Sequence, residues 1–99
     1  EQKIWYKVEP VPHSLVINVG DMARVWSNGA YKAAMHRVVH RGERLRYSIP
    51  LFYEPRFDAT MAPFPSFVAE QNGQSAAYEP VRFGDYVLRR LASFYSGKG

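Results

Sequence analysis

Two neighbouring stretches decide how this chain is read. The first is Tyr31-Lys32-Ala33-Ala34-Met35-His36-Arg37-Val38-Val39. The second, beyond the polar turn Arg41-Gly42-Glu43, is Arg44-Leu45-Arg46-Tyr47-Ser48-Ile49-Pro50-Leu51-Phe52-Tyr53. Side chains alternate between the two faces of a strand. Ala34, His36, Val38 and His40 therefore share one face of the first, and Met35, Arg37 and Val39 the other. In the second, Leu45, Tyr47, Ile49, Leu51 and Tyr53 line an apolar face, opposite Arg46, Ser48, Pro50 and Phe52. Both stretches read as β-strands.

The reading extends in both directions. Upstream, Ile4, Tyr6 and Val8 alternate with Trp5 and Lys7 in a strand that Glu9-Pro10-Val11-Pro12 ends, because proline removes a ladder donor. Ser14–Val19 is an almost continuous apolar run, the pattern of a strand buried on both faces. His13, just before it, reads as a surface residue. Met22–Ser27 is a short element whose type the pattern leaves open, and Asn28-Gly29 is a turn signal. Downstream, Glu54–Tyr78 holds Pro55, Pro63 and Pro65, then Gln71-Asn72-Gly73-Gln74-Ser75, and reads as loop with a short strand at Ser66–Val68. Phe83, Val87, Leu91 and Phe94 recur at helical spacing, with Arg89 and Arg90 on the polar side and Gly97 as a stop. The expected layout is strands to about residue 55, loop to about 80 and a helix over about 83–95.

Composition narrows the function classes. In 99 residues there is room for one domain or a part of one, and 46% hydrophobic residues is too many for a disordered tail. The absence of cysteine excludes disulfides and thiolate metal sites, and a cytoplasmic location is the expectation. No apolar run reaches the length of a membrane helix, so no membrane partner is expected. Net charge is +4, but the basic residues are spread along the chain and interleave with Val38, Val39, Leu45 and Tyr47 where they are densest, between Arg37 and Arg46. A nucleic-acid partner is not expected from that pattern. The chain opens without Met on a strand-like alternation, as though it continued something longer.

Arg46 and Ser48 stand at i and i+2 and share a face, where a guanidinium fork and a hydroxyl together can clamp a carboxylate. His36 offers an imidazole, the commonest protein metal ligand. Spacing leaves blander readings open: a lone strand histidine is more often an ordinary core or surface residue, and an Arg-x-Ser pair a solvated face.

The order of motifs goes further. Leu15-Val16-Ile17-Asn18-Val19-Gly20-Asp21, Trp26-Ser27-Asn28-Gly29-Ala30-Tyr31-Lys32, His36-Arg37-Val38, Arg46-Tyr47-Ser48-Ile49-Pro50-Leu51-Phe52 and Phe83-Gly84-Asp85-Tyr86 follow one another over most of Trp5–Tyr95. Together they resemble the C-terminal part of the isopenicillin N synthase-like family, iron(II)- and 2-oxoglutarate-dependent oxygenases. The resemblance implies a mainly β fold, a partial double-stranded β-helix (jelly roll) with one C-terminal α-helix. It implies His36 as a metal ligand, Arg46 and Ser48 as binders of the remote carboxylate of 2-oxoglutarate, and Phe52 on the substrate side. Asn18, Gly20, Asp21, Asn28 and Gly29 are implied to shape turns. The cofactors implied are Fe(II) and 2-oxoglutarate as co-substrate, with ascorbate a candidate addition, and the substrate is a small organic molecule to be hydroxylated or otherwise oxidised.

The family's other two ligands come as a His-x-Asp or His-x-Glu pair, and neither occurs here: His13 precedes Ser14-Leu15, and His40 precedes Arg41-Gly42. A facial iron site needs two imidazoles and a carboxylate. The expectation is therefore a C-terminal portion of one oxygenase domain, incomplete without an upstream part of that domain or a second chain. Two other readings stand beside it. One is a non-catalytic β module that binds a protein partner; the other is a small metal binder using His36, His40 and Glu43.

Overall fold

The computed structural model describes residues 4–71 and 75–97, so the polar turn read at Asn72-Gly73-Gln74 lies outside the described residues. Five elements follow in order: α1 (Asp21–Trp26), β1 (Thr60–Met61), α2 (Pro65–Glu70), β2 (Val81–Arg82) and α3 (Phe83–Tyr95). They gather into one knot. β1 and β2 pair antiparallel, Thr60 opposite Arg82 and Met61 opposite Val81. Val25 of α1, Met61 of β1 and Phe83 of α3 form the buried centre, with Met22, Tyr78, Val81, Tyr86 and Val87 packed around it.

α3 covers the same residues as the apolar period. Its first main-chain N–H groups, which have no partner inside a helix, are satisfied by the strand side of the knot. Phe83 N–H donates to Ala59 O (2.8 Å) and Gly84 N–H to Phe57 O (2.9 Å). Gly84 is needed for that approach, since a Cβ there would sit 2.6 Å from the Phe57 ring. At the other end Gly97 adopts φ +66 and turns the chain out of the helix.

The undecided element after Gly20 is helix α1. It closes through Ser27, then Asn28 (φ 52) and Gly29 (φ 85), both left-handed, with Gly29 N–H bonded to Arg24 O at 2.8 Å. This is the turn that Asn28-Gly29 signals, because Asn and Gly tolerate that conformation best.

One expectation is corrected. Ser66–Val68 is not a strand, and Glu54–Tyr78 is not all loop. Pro65–Glu70 is helical, with Pro65 in the first turn where its fixed φ suits a helix and its missing N–H costs nothing. Phe64 N–H donates to Trp26 O at 2.9 Å, and the two rings stack with centroids 5.8 Å apart. That anchor holds a helix too short to persist alone.

The four segments read as strands, Ile4–Val8, Ser14–Val19, Tyr31–Val39 and Arg44–Tyr53, carry neither helix nor ladder in the structure. A strand is stabilised by a hydrogen-bonded neighbour, and among the described residues none of these segments has a ladder partner. Ile49 is 98% exposed and Leu15 90%. The accessible area of 9741 Å² compares with about 5,800 Å² for a compact chain of this mass. The radius of gyration, 16.8 Å, likewise exceeds the roughly 13 Å of a compact domain this long. The knot is folded; the segments around it are uncovered.

Candidate functional site

His36 lies on one of the uncovered segments. Its Nδ1 is 3.1 Å from Ala34 O. A carbonyl oxygen only accepts, so Nδ1 donates; in the neutral ring that leaves Nε2 as the acceptor nitrogen, the arrangement a metal-binding imidazole takes. His40 differs. Its Nε2 is 2.8 Å from Arg44 O, which folds the ring back across the turn and over Gly42. His40 closes the Arg41–Glu43 turn rather than extending the His36 face.

Arg46, Ser48 and Phe52 are exposed, and no hydrogen bond among the described residues joins His36 to Arg46 or Ser48. The expected site residues lie on two consecutive segments, His36 on Tyr31–Val39 and Arg46, Ser48 and Phe52 on Arg44–Tyr53, and are not drawn into one pocket. No group of three or more His, Cys, Asp or Glu among the described residues could hold a metal ion. This bears against His36, His40 and Glu43 as a self-sufficient site. The donor set for iron is one imidazole, short of what a facial site requires, so these residues alone do not fit Fe(II).

What the structure does draw together lies in the knot. Asp21 accepts a hydrogen bond from the Tyr86 phenol and pairs with Arg24 (3.1 Å) and more distantly Arg90 (3.9 Å). Burial, then the bond to Asp21 and its charge, push the Tyr86 phenol above its ordinary value; Arg90 and Arg24 partly offset this. The Arg24 guanidinium also lies 5.8 Å from the centre of the Tyr78 ring. Asn28, 5% exposed, uses its whole carboxamide: Oδ1 accepts from Ala77 N–H (2.7 Å) and Nδ2 donates to Gln71 Oε1 (2.9 Å). Ser27 Oγ accepts from Tyr31 N–H (3.0 Å), fixing where the chain leaves α1 toward His36.

Sequence reading treated Asp21 and Asn28 as turn residues and missed their partners. Nothing local names a partner 65 or 49 positions away. A shallow groove of about 550 Å³ runs along β2 and α3 between Pro80, Arg82, Asp85 and Arg89, and none of the expected site residues lines it.

An exposed imidazole and an Arg-x-Ser pair ten residues on are the parts of a metal and carboxylate site, not the whole. Comparison with known proteins identifies the class. The model of the 2OG-Fe(II) oxygenase superfamily matches residues 1–55, a span that includes His36, Arg46, Ser48 and Phe52. The chain belongs to that superfamily.

It is 41% identical over 87 residues to a homoarginine-6-hydroxylase of Oryza sativa subsp. japonica, covering 88% of this chain and 26% of the relative. It is 40% identical over 94 residues to a bi-functional coumaroyl CoA and feruloyl CoA ortho-hydroxylase of Ruta graveolens, covering 95% of this chain and 25% of the relative. It is 46% identical over 83 residues to 1-aminocyclopropane-1-carboxylate oxidase 5 of Arabidopsis thaliana, covering 84% of this chain and 26% of the relative. The chain thus spans about a quarter of the length of the curated relatives it matches. No solved structure matches it. No helix among the described residues is long and apolar enough to cross a membrane.

Proposed function

We propose that these residues are the C-terminal portion of an oxygenase domain that uses Fe(II), 2-oxoglutarate and O₂ to hydroxylate or otherwise oxidise a small organic substrate. The observation that carries this reading is the superfamily match over residues 1–55, with His36 and the Arg46-x-Ser48 pair inside it. The fold proposed for the whole domain is the double-stranded β-helix, in which Tyr31–Val39 and Arg44–Tyr53 gain the neighbours they lack here.

In that domain His36 supplies one imidazole through Nε2, its Nδ1 proton held by Ala34 O. The other ligands, a His-x-Asp or His-x-Glu pair, come from outside these 99 residues. Arg46 and Ser48 hold the remote carboxylate of 2-oxoglutarate, the guanidinium donating a two-pronged fork and the hydroxyl a third bond. Phe52 borders the substrate. The oxidising chemistry belongs to the metal and its co-substrate; this chain's part is to hold and orient them. Ascorbate as an added reductant and a cytoplasmic location belong to the same proposal.

The relatives' names carry different substrates, so the substrate is proposed only as a small organic molecule. A non-catalytic β module is not favoured, because the relatives are hydroxylases and oxidases by name.

Titration with Mn(II) and 2-oxoglutarate tests the reading. The isolated chain is expected to bind neither tightly, and the chain joined to an upstream part carrying the His-x-Asp pair to bind both. His36→Ala in the joined protein is expected to abolish metal binding. Tight binding by the isolated chain would defeat the proposal.

A further inference from the structure

The net charge of this chain is confined to one segment. Residues 31–53 hold Lys32, Arg37, Arg41, Arg44 and Arg46 against the single carboxylate of Glu43, a surplus equal to the +4 of the whole chain. Residues 1–30 and 54–99 each carry as many carboxylates as cations. Among the described residues the ion pairs all lie elsewhere: Lys7 with Glu9, Arg24 and Arg90 with Asp21, Arg56 with Asp58. Among the described residues, none of the five cations of 31–53 pairs with a carboxylate. Arg37 instead stacks over the Trp5 ring at 4.5 Å.

The same segment is rich in exposed apolar side chains, among them Met35, Val38, Leu45, Tyr47, Ile49 and Leu51. Its main chain enters no ladder. Three demands therefore coincide. Unladdered N–H and C=O groups call for a strand once they are covered. Apolar side chains call for apolar cover. With Arg46 given to 2-oxoglutarate, the guanidinium groups of Arg37, Arg41 and Arg44 beside that cover call for protein carboxylates, because an arginine taken from water without a partner is costly.

We infer that Tyr31–Tyr53 is an interaction surface for acidic β-strands, with apolar and carboxylate side chains alternating, that belong to the remainder of the oxygenase domain. The inference rests on the reading of the chain as part of such a domain and adds the chemistry of what covers it. A nucleic acid or free phosphate answers only the charge, and a neutral protein face only the apolar rows. Acidic strands answer all three demands. The curated relatives are long enough to supply them, since the first-named aligns to this chain over only 26% of its length.

The test uses the 99-residue chain and three labelled probes: a peptide of alternating Glu and Val, one of alternating Lys and Val, and a single-stranded oligothymidylate. Binding is read by fluorescence anisotropy at low and at physiological salt, and located by amide hydrogen exchange. The Glu-Val peptide is expected to bind, to protect amides within 31–53, and to weaken as salt rises. The triple variant Arg37→Gln, Arg41→Gln, Arg44→Gln is expected to bind it roughly tenfold more weakly. Equal binding of the Lys-Val peptide, preference for the oligonucleotide, protection elsewhere, or an unaffected triple variant would each overturn the inference.

Those three arginines leave His36, Arg46 and Ser48 in place, so the Mn(II) and 2-oxoglutarate titration of the joined protein is an independent readout. Normal metal binding there, with no peptide selectivity, rejects the acidic partner and keeps the oxygenase. Absent metal binding in the unsubstituted joined protein rejects the oxygenase, and the peptide selectivity is decided separately.

Discussion

The Tyr86 phenol donates a hydrogen bond to Asp21 Oδ2, joining the first turn of α3 to the first residue of α1 across 65 positions. Arg24 and Arg90 flank the same carboxylate, so one acid ties both helices together. Removing the phenol by Tyr86→Phe leaves the ring packed and deletes only that bond. The expected loss is about 1–2 kcal/mol of stability, the scale of a hydrogen bond to a charged group at a part-buried site. Urea unfolding followed through Trp26, which stacks on Phe64, measures it.

The same bond predicts an alkaline limit. In the folded chain the Tyr86 phenol titrates above its ordinary value of 10.0, so the native state holds this proton more tightly than the unfolded state. Its contribution is fully present below pH 10 and is lost as pH rises through the folded value. The melting temperature is expected to fall above pH 10 more steeply in the native sequence than in Tyr86→Phe. Parallel curves would remove Tyr86 as the cause.

Asn28 combines a left-handed backbone with a carboxamide bonded at both ends. Asn28→Ala strains the backbone and strands Ala77 N–H and Gln71 Oε1, at an expected cost of about 2–3 kcal/mol. Asn28→Gly loses the bonds but keeps the conformation, and is expected to cost about 1 kcal/mol less. Denaturant midpoints of the two variants separate the contributions. Equal midpoints would mean the backbone conformation contributes nothing.

Gly84 and Gly20 provide a contrast in space. A methyl group on Gly84 meets the Phe57 ring at 2.6 Å and its carbonyl at 2.9 Å, whereas nothing lies within 4 Å of one on Gly20. Gly84→Ala is expected to cost about 1–3 kcal/mol through overpacking and to loosen the bonds from Phe83 and Gly84 to the strand side. Gly20→Ala is expected to cost less than about 1 kcal/mol, as for an N-cap change. Thermal melts of both, with exchange of the Phe83 and Gly84 amides, check the pair.

In the joined oxygenase, Arg46→Ala is expected to weaken 2-oxoglutarate by at least about tenfold, the value of one charge-assisted bond, while Mn(II) affinity stays within about twofold. Ser48→Ala is expected to act in the same direction and less strongly. Calorimetric titration of each ligand separates them. Equal loss of metal and co-substrate would remove Arg46 from the carboxylate clamp.

Several features of this chain were legible in its residues alone, and all are local. Phe83, Val87, Leu91 and Phe94 mark α3 because a 3.6-residue period repeats over three turns. Asn28-Gly29 marks the left-handed turn because few other pairs accept it. The ordered motifs from Leu15 to Phe52 carry the superfamily, whose match covers residues 1–55. The alternating faces of Tyr31–Val39 and Arg44–Tyr53 state what each strand would bury, but an alternation does not supply a neighbour to bury it against.

Tertiary structure decided the rest. Pro65–Glu70 is helical because Phe64 is held on Trp26; six residues are too few to display a period. Asp21 became a tie between helices, and Asn28 a clamp, because packing Val25, Met61 and Phe83 together brings Tyr86, Gln71 and Ala77 alongside. Such pairings depend on distance through space, which a one-dimensional pattern does not encode. His36, Arg46 and Ser48 obey the same rule: their residue types and spacing are written in the chain, while a pocket requires strands packed around them.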